Sequence, residues 1–379
     1  MRRTKRILLT GGGSGGHVYP LVAVAEALRP LAEAQQASVD LYYLGPDDQY
    51  RQILDKAGIR TYGLAAGKIR RYVSLANFLD IPKFFIGLIQ AFAKVFWIMP
   101  DAIFSKGGTG AFAVVFAGWF YRIPVVIHES DTVPGLTNLA SSRFAKRIAV
   151  GFEIALQYFN PRKAVWTGNP VRSDLLKNQM NPGDAKHALH FDAETPLLLI
   201  LGGSLGSQRI NEFILPLLKE LLHDTQVLHQ TGFANYEEVK KLSQAALLDV
   251  SAGEELRTRY QAFPYLERDM RVALAAADLV VTRAGASNIF EIAAYGKPAI
   301  LIPLLESAND HQRVNAYEFS KTGAAIVIEE PNLLPGIFLS QVKELLGNQN
   351  ALRSMAKASL GFFRSNAAEL ISQEILKLV

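Results

Sequence analysis

The chain has 379 residues, which is too long for one ordinary domain, so we expect two. Hydrophobic residues make up 49% and charged residues 20%, a balance that suits a folded α/β protein. The absence of cysteine excludes disulfides, thiolate metal sites and cysteine nucleophiles, and the net charge of +5 suits phosphorylated substrates, anionic lipid or nucleic acid without requiring any of them.

The first predicted elements are a strand, a glycine-rich loop and a helix. Ile7 to Thr10 is a short apolar run, Gly11 to Pro20 contains five glycines, and Leu21 to Leu28 has a helical pattern. This arrangement lets backbone N–H groups and a helix N-terminus meet an anion. His17 is the residue of this loop that can carry out proton chemistry.

Two interpretations of this loop remain open. Gly11, Gly13 and Gly16 match the dinucleotide pattern G-x-G-x-x-G, but the second predicted strand, Leu41 to Gly45, ends without the expected acidic residue. A tight turn with no ligand is the alternative.

The rest of the first half alternates strand and helix patterns, which predicts a parallel sheet covered on both faces. Basic residues cluster at Lys68, Arg70 and Arg71, shortly before the apolar segment Phe84 to Met99. That segment is short for a membrane span and contains Lys94, so we expect a helix that is buried or lies in a membrane interface. No signal peptide is expected, since the apolar run after the basic start is very short.

A polar group follows the strand pattern near residue 127. His128, Glu129 and Asp131 could suggest metal ligation, but a strand points alternate residues to opposite faces and no fourth ligand is evident. Arg172 follows soon after and lies near the expected domain junction; a surface arginine is the equal alternative.

The opening pattern then repeats. After a linker within 171–195, the apolar run Leu197 to Leu201 enters the loop Gly202 to Ser207, and a helix begins near Gln208. We therefore predict two doubly wound α/β units in tandem, with ligands beyond the carboxyl ends of the strands and in a cleft between the units.

The most informative segment of the second half starts at a buried strand ending in Arg283. Ala286 and Ser287 begin a helix whose N–H groups could point at a phosphate. Glu291, one turn later, could accept hydrogen bonds from ribose hydroxyls, or could simply be favoured there by the helix dipole. Gln312, which follows Asp310 and His311, would reach the same region.

Taken together, these motifs resemble one known family, the MurG N-acetylglucosaminyltransferases that make lipid II in peptidoglycan synthesis. The ordered set covers residues 7 to about 316 and consists of GGGSGGHVYP, KIRRY, FSKGGTG, VIHESD with PGLTN, GNPVR, GGSLGSQRIN, TRAGASNIFEIAAYGKPAILIP and DHQRVNA. The resemblance implies a GT-B fold, in which two Rossmann-like doubly wound domains face a central cleft. It also implies UDP-N-acetylglucosamine as donor, lipid I as acceptor, and a peripheral enzyme on the cytoplasmic face of the cell membrane.

The resemblance assigns roles to individual residues. His17 resembles the general base, with Glu129 and Asp131 in the same catalytic group. Substrate contacts are implied for two sets of residues. The first set surrounds phosphates and the nucleotide, and its last member would contact uracil through the backbone: Ser14, Gly15, Gly16, Arg172, Ser204 and Pro264. Arg283 is a further candidate contact, a donor to the departing diphosphate, on chemical grounds rather than from the resemblance. The second set surrounds the diphosphate, ribose and sugar: Asp131, Ala286, Ser287, Asn288, Glu291 and Gln312.

Two departures from the family pattern matter. Many members have asparagine at the position of Asp131 and threonine at that of Asn288. A carboxylate at Asp131 could contact the donor, or serve as an acceptor-side base or a partner to His17. The expected domains are an acceptor and membrane-facing domain at 1–170, a UDP-sugar domain at 171–347, and helices at 348–379 that pack back on the first domain.

The expected reaction is an inverting transfer with no cofactor, because no convincing Asp-x-Asp loop is present to hold a metal. We expect the basic patch and apolar helix to meet an anionic membrane surface, and we expect no nucleic acid partner. The alternatives are another UDP-sugar enzyme, such as a diacylglycerol glycosyltransferase or a 2-epimerase, a non-catalytic nucleotide-sugar-binding protein, or a dehydrogenase.

Overall fold

The structure, a computed structural model, describes residues 3–46, 50–66, 75–203, 206–248, 253–266 and 269–379. Five positions singled out in the sequence lie outside these residues. They are Lys68, Arg70, Arg71 and Tyr72 of the basic segment, and Ser204 of the second glycine loop.

The chain divides into two compact units. Unit 1 consists of Met1–Ser173 and Arg364–Val379, and unit 2 of Asp174–Phe363. The first boundary lies close to the predicted one, whereas the chain returns to unit 1 at Arg364, one helix later than the predicted start at 348. Both C-terminal helices have amphipathic patterns, and a pattern shows that a face is buried without showing which unit buries it.

Within the described residues, each unit contains one sheet whose strands are all parallel. The sheet of unit 1 has the order β3-β2-β1-β4-β5-β6-β7, and that of unit 2 has the order β10-β9-β8-β11-β12-β13. The strands are β1 Arg3–Thr10, β2 Ala37–Gly45, β3 Arg60–Gly63, β4 Ala102–Ser105, β5 Val125–Glu129, β6 Arg147–Val150, β7 Ala164–Trp166, β8 Leu197–Leu201, β9 Gln226–Gln230, β10 Tyr260–Phe263, β11 Leu279–Thr282, β12 Ala299–Leu301 and β13 Ala325–Val327.

The link between β6 and β7 is the short 3₁₀ helix Glu153–Tyr158. α-Helices provide the other connections that parallel pairing requires, and the last three follow β13. The α-helices are α1 Gly15–Ala34, α2 Arg51–Lys56, α3 Leu75–Ile98, α4 Ala111–Phe120, α5 Leu136–Ser142, α6 Ser173–Leu176, α7 Pro182–Ala188, α8 Gln208–Ile214, α9 Leu218–Asp224, α10 Tyr236–Leu248, α11 Gly253–Thr258, α12 Met270–Ala276, α13 Ala286–Ala294, α14 His311–Ser320, α15 Pro335–Gly347, α16 Gln349–Phe362 and α17 Ala367–Leu376.

The central strands read as unbroken apolar runs because helices cover both faces of each sheet. All five residues of β8, Leu197–Leu201, are buried. In unit 1, Ile7 and Leu9 of β1 face one layer of the core, and the intervening Leu8 faces the other. The C-terminal helix α17 adds Ile371 and Ile375 to the layer that contains Ile7.

The strand order determines where loops from distant segments meet. In each sheet the winding direction reverses beside the first strand, between β1 and β4 in unit 1 and between β8 and β11 in unit 2. Ligands bind at such reversal points in open α/β sheets. In unit 1 the register pairs Thr10 with Ser105 and Ser105 with Ile127, so the loops after β1, β4 and β5 begin side by side.

The apolar segment near residue 90 forms the second half of α3. Among the described residues, no helix is long and apolar enough to cross a membrane.

Candidate active site

The site in unit 1 is built around His17, in the first turn of α1. Its Nδ1 atom lies 2.7 Å from the hydroxyl of Ser14, the N-cap residue of that helix. An N-cap serine usually accepts a hydrogen bond from the helix backbone. Here its hydroxyl makes no such bond and instead holds the imidazole.

Two glycine loops enclose the imidazole ring. A Cβ atom at Gly12 would lie 3.2 Å from Nδ1, and a Cβ atom at Gly108 would lie 3.0 Å from Nε2. Gly108 also has a φ of +85°, a backbone conformation that residues with a side chain rarely adopt. Glycine is therefore required at these positions for the two loops to close on His17.

The setting of His17 lowers its pKa to about 4. Burial against the loops is the largest cause, the ammonium of Lys106 lowers the pKa further, and Asp131 opposes it. The imidazole is therefore neutral at pH 7. In the tautomer whose Nδ1–H donates to Ser14, Nε2 carries the lone pair that can accept a proton.

Beside His17 lies a buried lysine that the sequence analysis did not single out. Lys106 follows β4 directly, and its Nζ atom lies 2.8 Å from Nδ1 of His128 and 3.1 Å from Oδ1 of Asn169. The same atom donates to the hydroxyl of Ser130. A lysine placed immediately after a buried strand, within the motif FSKGG, was the signal available in the sequence.

The side chains of His128 and Glu129 are buried and hydrogen-bonded to other groups of unit 1. His128 is fully buried, and its Nε2 donates to the carbonyl of Gly168 over 3.0 Å. The carboxylate of Glu129 accepts from the backbone N–H groups of Asp131, at 3.0 Å, and Gly135, at 3.1 Å.

The amide of Asn138 also donates to Glu129, over 2.9 Å. Burial raises the pKa of Glu129, and Asp131 adds to that effect. Glu129 thus closes its own loop and holds the backbone of Asp131, and its expected place in the catalytic group stays a prediction.

Arg172 lies in unit 1, next to the first glycine loop. Its guanidinium lies over the ring of Tyr19, 4.7 Å from the ring centroid, and the residue is buried. The structure therefore brings Ser14, His17 and Arg172 to one end of α1.

The glycine loop of unit 2 follows β8 in the same manner. A Cβ atom at Gly206 would lie 2.2 Å from the carbonyl oxygen of Thr231, and one at Gly202 would lie 2.4 Å from the backbone nitrogen of Ser207. These close approaches explain both glycines. Next to this loop, α13 begins after Gly285, which has no side chain that could cap the N–H groups of the first turn.

Arg283 directly follows β11, next to the glycine loop of unit 2. The chemistry of the leaving group suggested it as a donor to the diphosphate, and that role stays a prediction. Its Nη2 atom lies 2.5 Å from Glu330 and 2.9 Å from the hydroxyl of Ser207, and its Nη1 atom donates to the carbonyl of Ile302 over 3.2 Å. A buried charge requires such partners, so the guanidinium supports the glycine loop from beneath.

The remaining predicted contacts of unit 2 lie in segments that follow β10, β11 and β12. Asn288 donates from Nδ2 to the hydroxyl of Thr282 over 2.9 Å. Gln312 accepts the N–H of Leu304 at Oε1 over 3.1 Å. The Pro264 carbonyl, the backbone group that could contact a base, accepts the N–H of Gly232 over 3.1 Å.

Ala286 is buried at the first position of α13, Ser287 follows it, and Glu291 is half-buried one turn further on. In the described part of the chain, no cluster of three or more histidine, aspartate or glutamate side chains could hold a metal ion.

Known proteins resemble the chain in both halves. The model of the glycosyltransferase family 28 N-terminal domain matches residues 7–150, and that of the family 28 C-terminal domain matches residues 197–373. A protein of Bacillus cereus named UDP-N-acetylglucosamine--N-acetylmuramyl-(pentapeptide) pyrophosphoryl-undecaprenol N-acetylglucosamine transferase 2 is 36% identical, over 98% of this chain and 99% of its own.

A second relative, from Treponema pallidum, has the same name without the numeral. It is 37% identical, over 98% of this chain and 95% of its own. Among solved structures, the crystal structure of Acinetobacter baumannii MurG matches with a TM-score of 0.71 and 28% identity, covering 98% of this chain and 99% of that one. The fold is thus the two-domain, parallel-sheet fold of these transferases.

Proposed function

This chain belongs to glycosyltransferase family 28, and on that premise we propose that it transfers N-acetylglucosamine from UDP-N-acetylglucosamine to the 4-hydroxyl of the muramyl sugar of lipid I. The product would be lipid II, a precursor of peptidoglycan. The observation that carries this proposal is the neutral imidazole of His17, anchored by Ser14 between two glycine loops.

The acceptor hydroxyl is a poor nucleophile until its proton is removed. Nε2 of His17 accepts that proton as the hydroxyl oxygen forms a bond to the anomeric carbon. The bond from that carbon to the UDP oxygen breaks on the opposite side, so the configuration at the carbon inverts. Because the pKa of His17 is about 4, the basic form is already present at neutral pH.

The departing UDP carries a growing negative charge. We assign its stabilisation to the N–H groups at the start of α13 and in the glycine loop after β8, which act without a formal cation. Arg283 holds the hydroxyl of Ser207 at the end of that loop, and so acts by positioning. Glu291 would accept hydrogen bonds from the ribose hydroxyls, and the Nε2 amide group of Gln312 would donate to the sugar.

A lipid acceptor requires access to a membrane, and unit 1 has a suitable surface. On α3, the buried residues Gly87, Ala91 and Val95 recur every fourth position, and most of the positions between them are also apolar. The exposed apolar side chains of α3 and the adjoining α4 include Phe85, Ile86, Ile89, Phe96, Trp97, Trp119 and Phe120. We propose that this surface lies against the cytoplasmic face of the cell membrane, so that the enzyme is peripheral.

The test is a transfer assay with labelled UDP-N-acetylglucosamine and a lipid I analogue, with and without EDTA. We expect acceptor-dependent transfer that survives EDTA, and a loss of roughly 10²- to 10⁴-fold in His17→Ala. His187→Ala, at an exposed histidine of unit 2, is the matched control and should keep full activity. Donor binding without transfer would contradict the proposed acceptor.

A further inference from the structure

We propose that Lys106 is a positioning residue for the transfer: its ammonium joins three loops around His17 and, with Asp131 as counter-charge, sets the charge balance in which His17 works. The inference rests on the proposed function only in naming glycosyl transfer as the reaction that Lys106 supports. The contacts that carry it lie within unit 1.

The ammonium of Lys106 is fully engaged. An ammonium group has three N–H donors, and Nζ has three acceptors: Nδ1 of His128, the hydroxyl of Ser130 and Oδ1 of Asn169. The side chain is 2% exposed. Lys106 therefore has no donor left for a substrate phosphate, and acts through the groups that it holds.

Those groups belong to different segments of unit 1. Lys106 follows β4, His128 and Ser130 lie at the end of β5 and just beyond it, and Asn169 lies in the segment after β7. Since His128 accepts from Lys106 at Nδ1, its Nε2 is the protonated nitrogen and donates to Gly168. One ammonium thus ties together the loop that precedes Gly108 and the loop that contains Asp131.

The charge of Lys106 has a second consequence. Its three acceptors are neutral, and the negative charges nearest to it are Glu129 and Asp131, both of which raise its pKa. The charged groups that act on His17 are Lys106, which lowers its pKa, and Asp131, which raises it. Lysine and aspartate therefore have opposite effects on the same imidazole.

Burial lowers the pKa of Lys106 itself to about 8. The ammonium is present below that pH and is lost as the pH rises through it. The groups around it are His17 from the first turn of α1, then His128, Ser130, Glu129 and Asp131 from the end of β5 and its loop, and Asn169. We expect an alkaline fall in kcat near pH 8, because the neutral amine has lost the positive charge and one of the three N–H donors that hold the loops.

The first experiment compares Lys106→Met, Lys106→Arg and the double variant Lys106→Met with Asp131→Asn. We expect kcat to fall roughly 10²-fold in Lys106→Met, since small displacements of catalytic groups have effects of that size. The double variant should recover part of this loss because it removes both charges. Lys106→Arg should retain activity beyond pH 9, because arginine stays protonated.

The matched control is Lys297→Met. Lys297 is a half-buried lysine of unit 2 that donates to the carbonyls of Ala275 and Ala277, and its pKa is also lowered to about 8. This variant should lose stability without altering the pH dependence of kcat. If Lys106→Met does not fold, Lys106→Gln keeps a neutral donor and serves in its place.

The second experiment needs no activity. NMR titration of histidine-labelled protein, with the His17 signal identified from His17→Ala among seven histidines, measures the His17 pKa directly. It should rise in Lys106→Met, return towards the wild-type value in the double variant, and stay unchanged in Lys297→Met. The proposal would be overturned if the His17 pKa were the same in Lys106→Met as in the wild type. It would also be overturned if kcat of the double variant were no higher than that of Lys106→Met. If the wild type transfers nothing to lipid I, this titration still decides the role of Lys106.

Discussion

The backbone of Gly108 lies so close to the imidazole of His17 that a Cβ atom there would stand 3.0 Å from Nε2. Two loops that are about 90 residues apart in the chain thus meet at the atom proposed to take the acceptor proton. The parallel pairing of β1 with β4 brings them together.

Gly108→Ala should therefore disable the site. The added methyl would lie 2.8 Å from the backbone of Gly12, and the φ of +85° alone costs roughly 1–2 kcal/mol for an L-residue. We expect transfer to fall roughly 10²-fold, because His17 is displaced. Gly323→Ala is the control, because Gly323 has the same φ of +85° but no atom within 4 Å of the added methyl. This variant should lose stability and keep its activity. Equal activities in the two variants would refute the close packing at His17.

The acid limb of the pH profile should report His17. Protonation removes its lone pair, and its pKa is lowered to about 4, so kcat/KM should stay level from neutrality down to about pH 5 and fall below that. Kinetics over pH 3.5–8, with circular dichroism to exclude unfolding, measure this limb. An acid midpoint near the ordinary histidine value would show that the free enzyme does not bury His17 as described.

Ser14→Ala should weaken catalysis without preventing donor binding. The variant removes the hydroxyl that holds Nδ1 of His17 at 2.7 Å, while α1 keeps its backbone bonds, since this hydroxyl does not cap the helix. We expect kcat to fall roughly tenfold, with the Kd for UDP-N-acetylglucosamine unchanged. A weaker donor Kd with normal kcat would place Ser14 at the donor instead.

Glu330→Gln should destabilise unit 2 and weaken donor binding. Glu330 is the ion-pair partner of Arg283, and both side chains are almost completely buried. Removing one partner of a buried pair costs about 3 kcal/mol, and Arg283 would no longer hold the Ser207 hydroxyl in place. Denaturant unfolding and calorimetric titration with UDP measure the two effects.

Glu306→Gln is the matched control for that variant. Glu306 pairs with Arg209 at 2.7 Å on the exposed side of the same network. Because exposed ion pairs contribute little to stability, this variant should leave both the unfolding midpoint and the UDP affinity nearly unchanged. If Glu330→Gln behaves in the same way, Arg283 does not position the loop.

Replacing two exposed residues of α3 should release the protein from membranes. Ile89 and Trp97 are 70% and 83% exposed, and Ile89→Ser with Trp97→Ser should weaken vesicle binding roughly 10²-fold. Sedimentation with anionic vesicles measures it. The control is Leu248→Ser with Leu334→Ser, two exposed leucines of unit 2, which should bind as the wild type does. Transfer to a detergent-soluble acceptor should persist in both double variants.

The architecture follows closely from local patterns. Apolar runs of strand length, glycine-rich turns and helical segments alternate twice along the chain, and the predicted two parallel α/β units are confirmed by the sheets and by the family 28 domains. His17 could also be identified, since it is the residue in its loop with proton chemistry. Such features depend on neighbours within a few residues, which a pattern can represent.

The hydrogen-bond and ion-pair partners of the buried side chains around the site could not be predicted in the same way. The partner of the Arg283 guanidinium, Glu330, lies 47 positions later in the chain. The backbone groups that donate to the carboxylate of Glu129 converge on it only once its loop has folded. Both cases concern which acceptor a buried polar group finds, and that is a matter of three-dimensional proximity.

The sequence by itself determined the fold class, the two glycine loops, the helix start at Ala286 and the candidacy of His17 as the base, because each depends on residue type and short-range spacing. Only the tertiary structure decided the strand order, the division at Arg364, and the burial of Lys106 among His128, Ser130 and Asn169. The physical reason is that a parallel sheet joins segments far apart in the chain by backbone hydrogen bonds. Those bonds do not depend on side-chain identity, so the sequence pattern does not reveal which strand ends become neighbours.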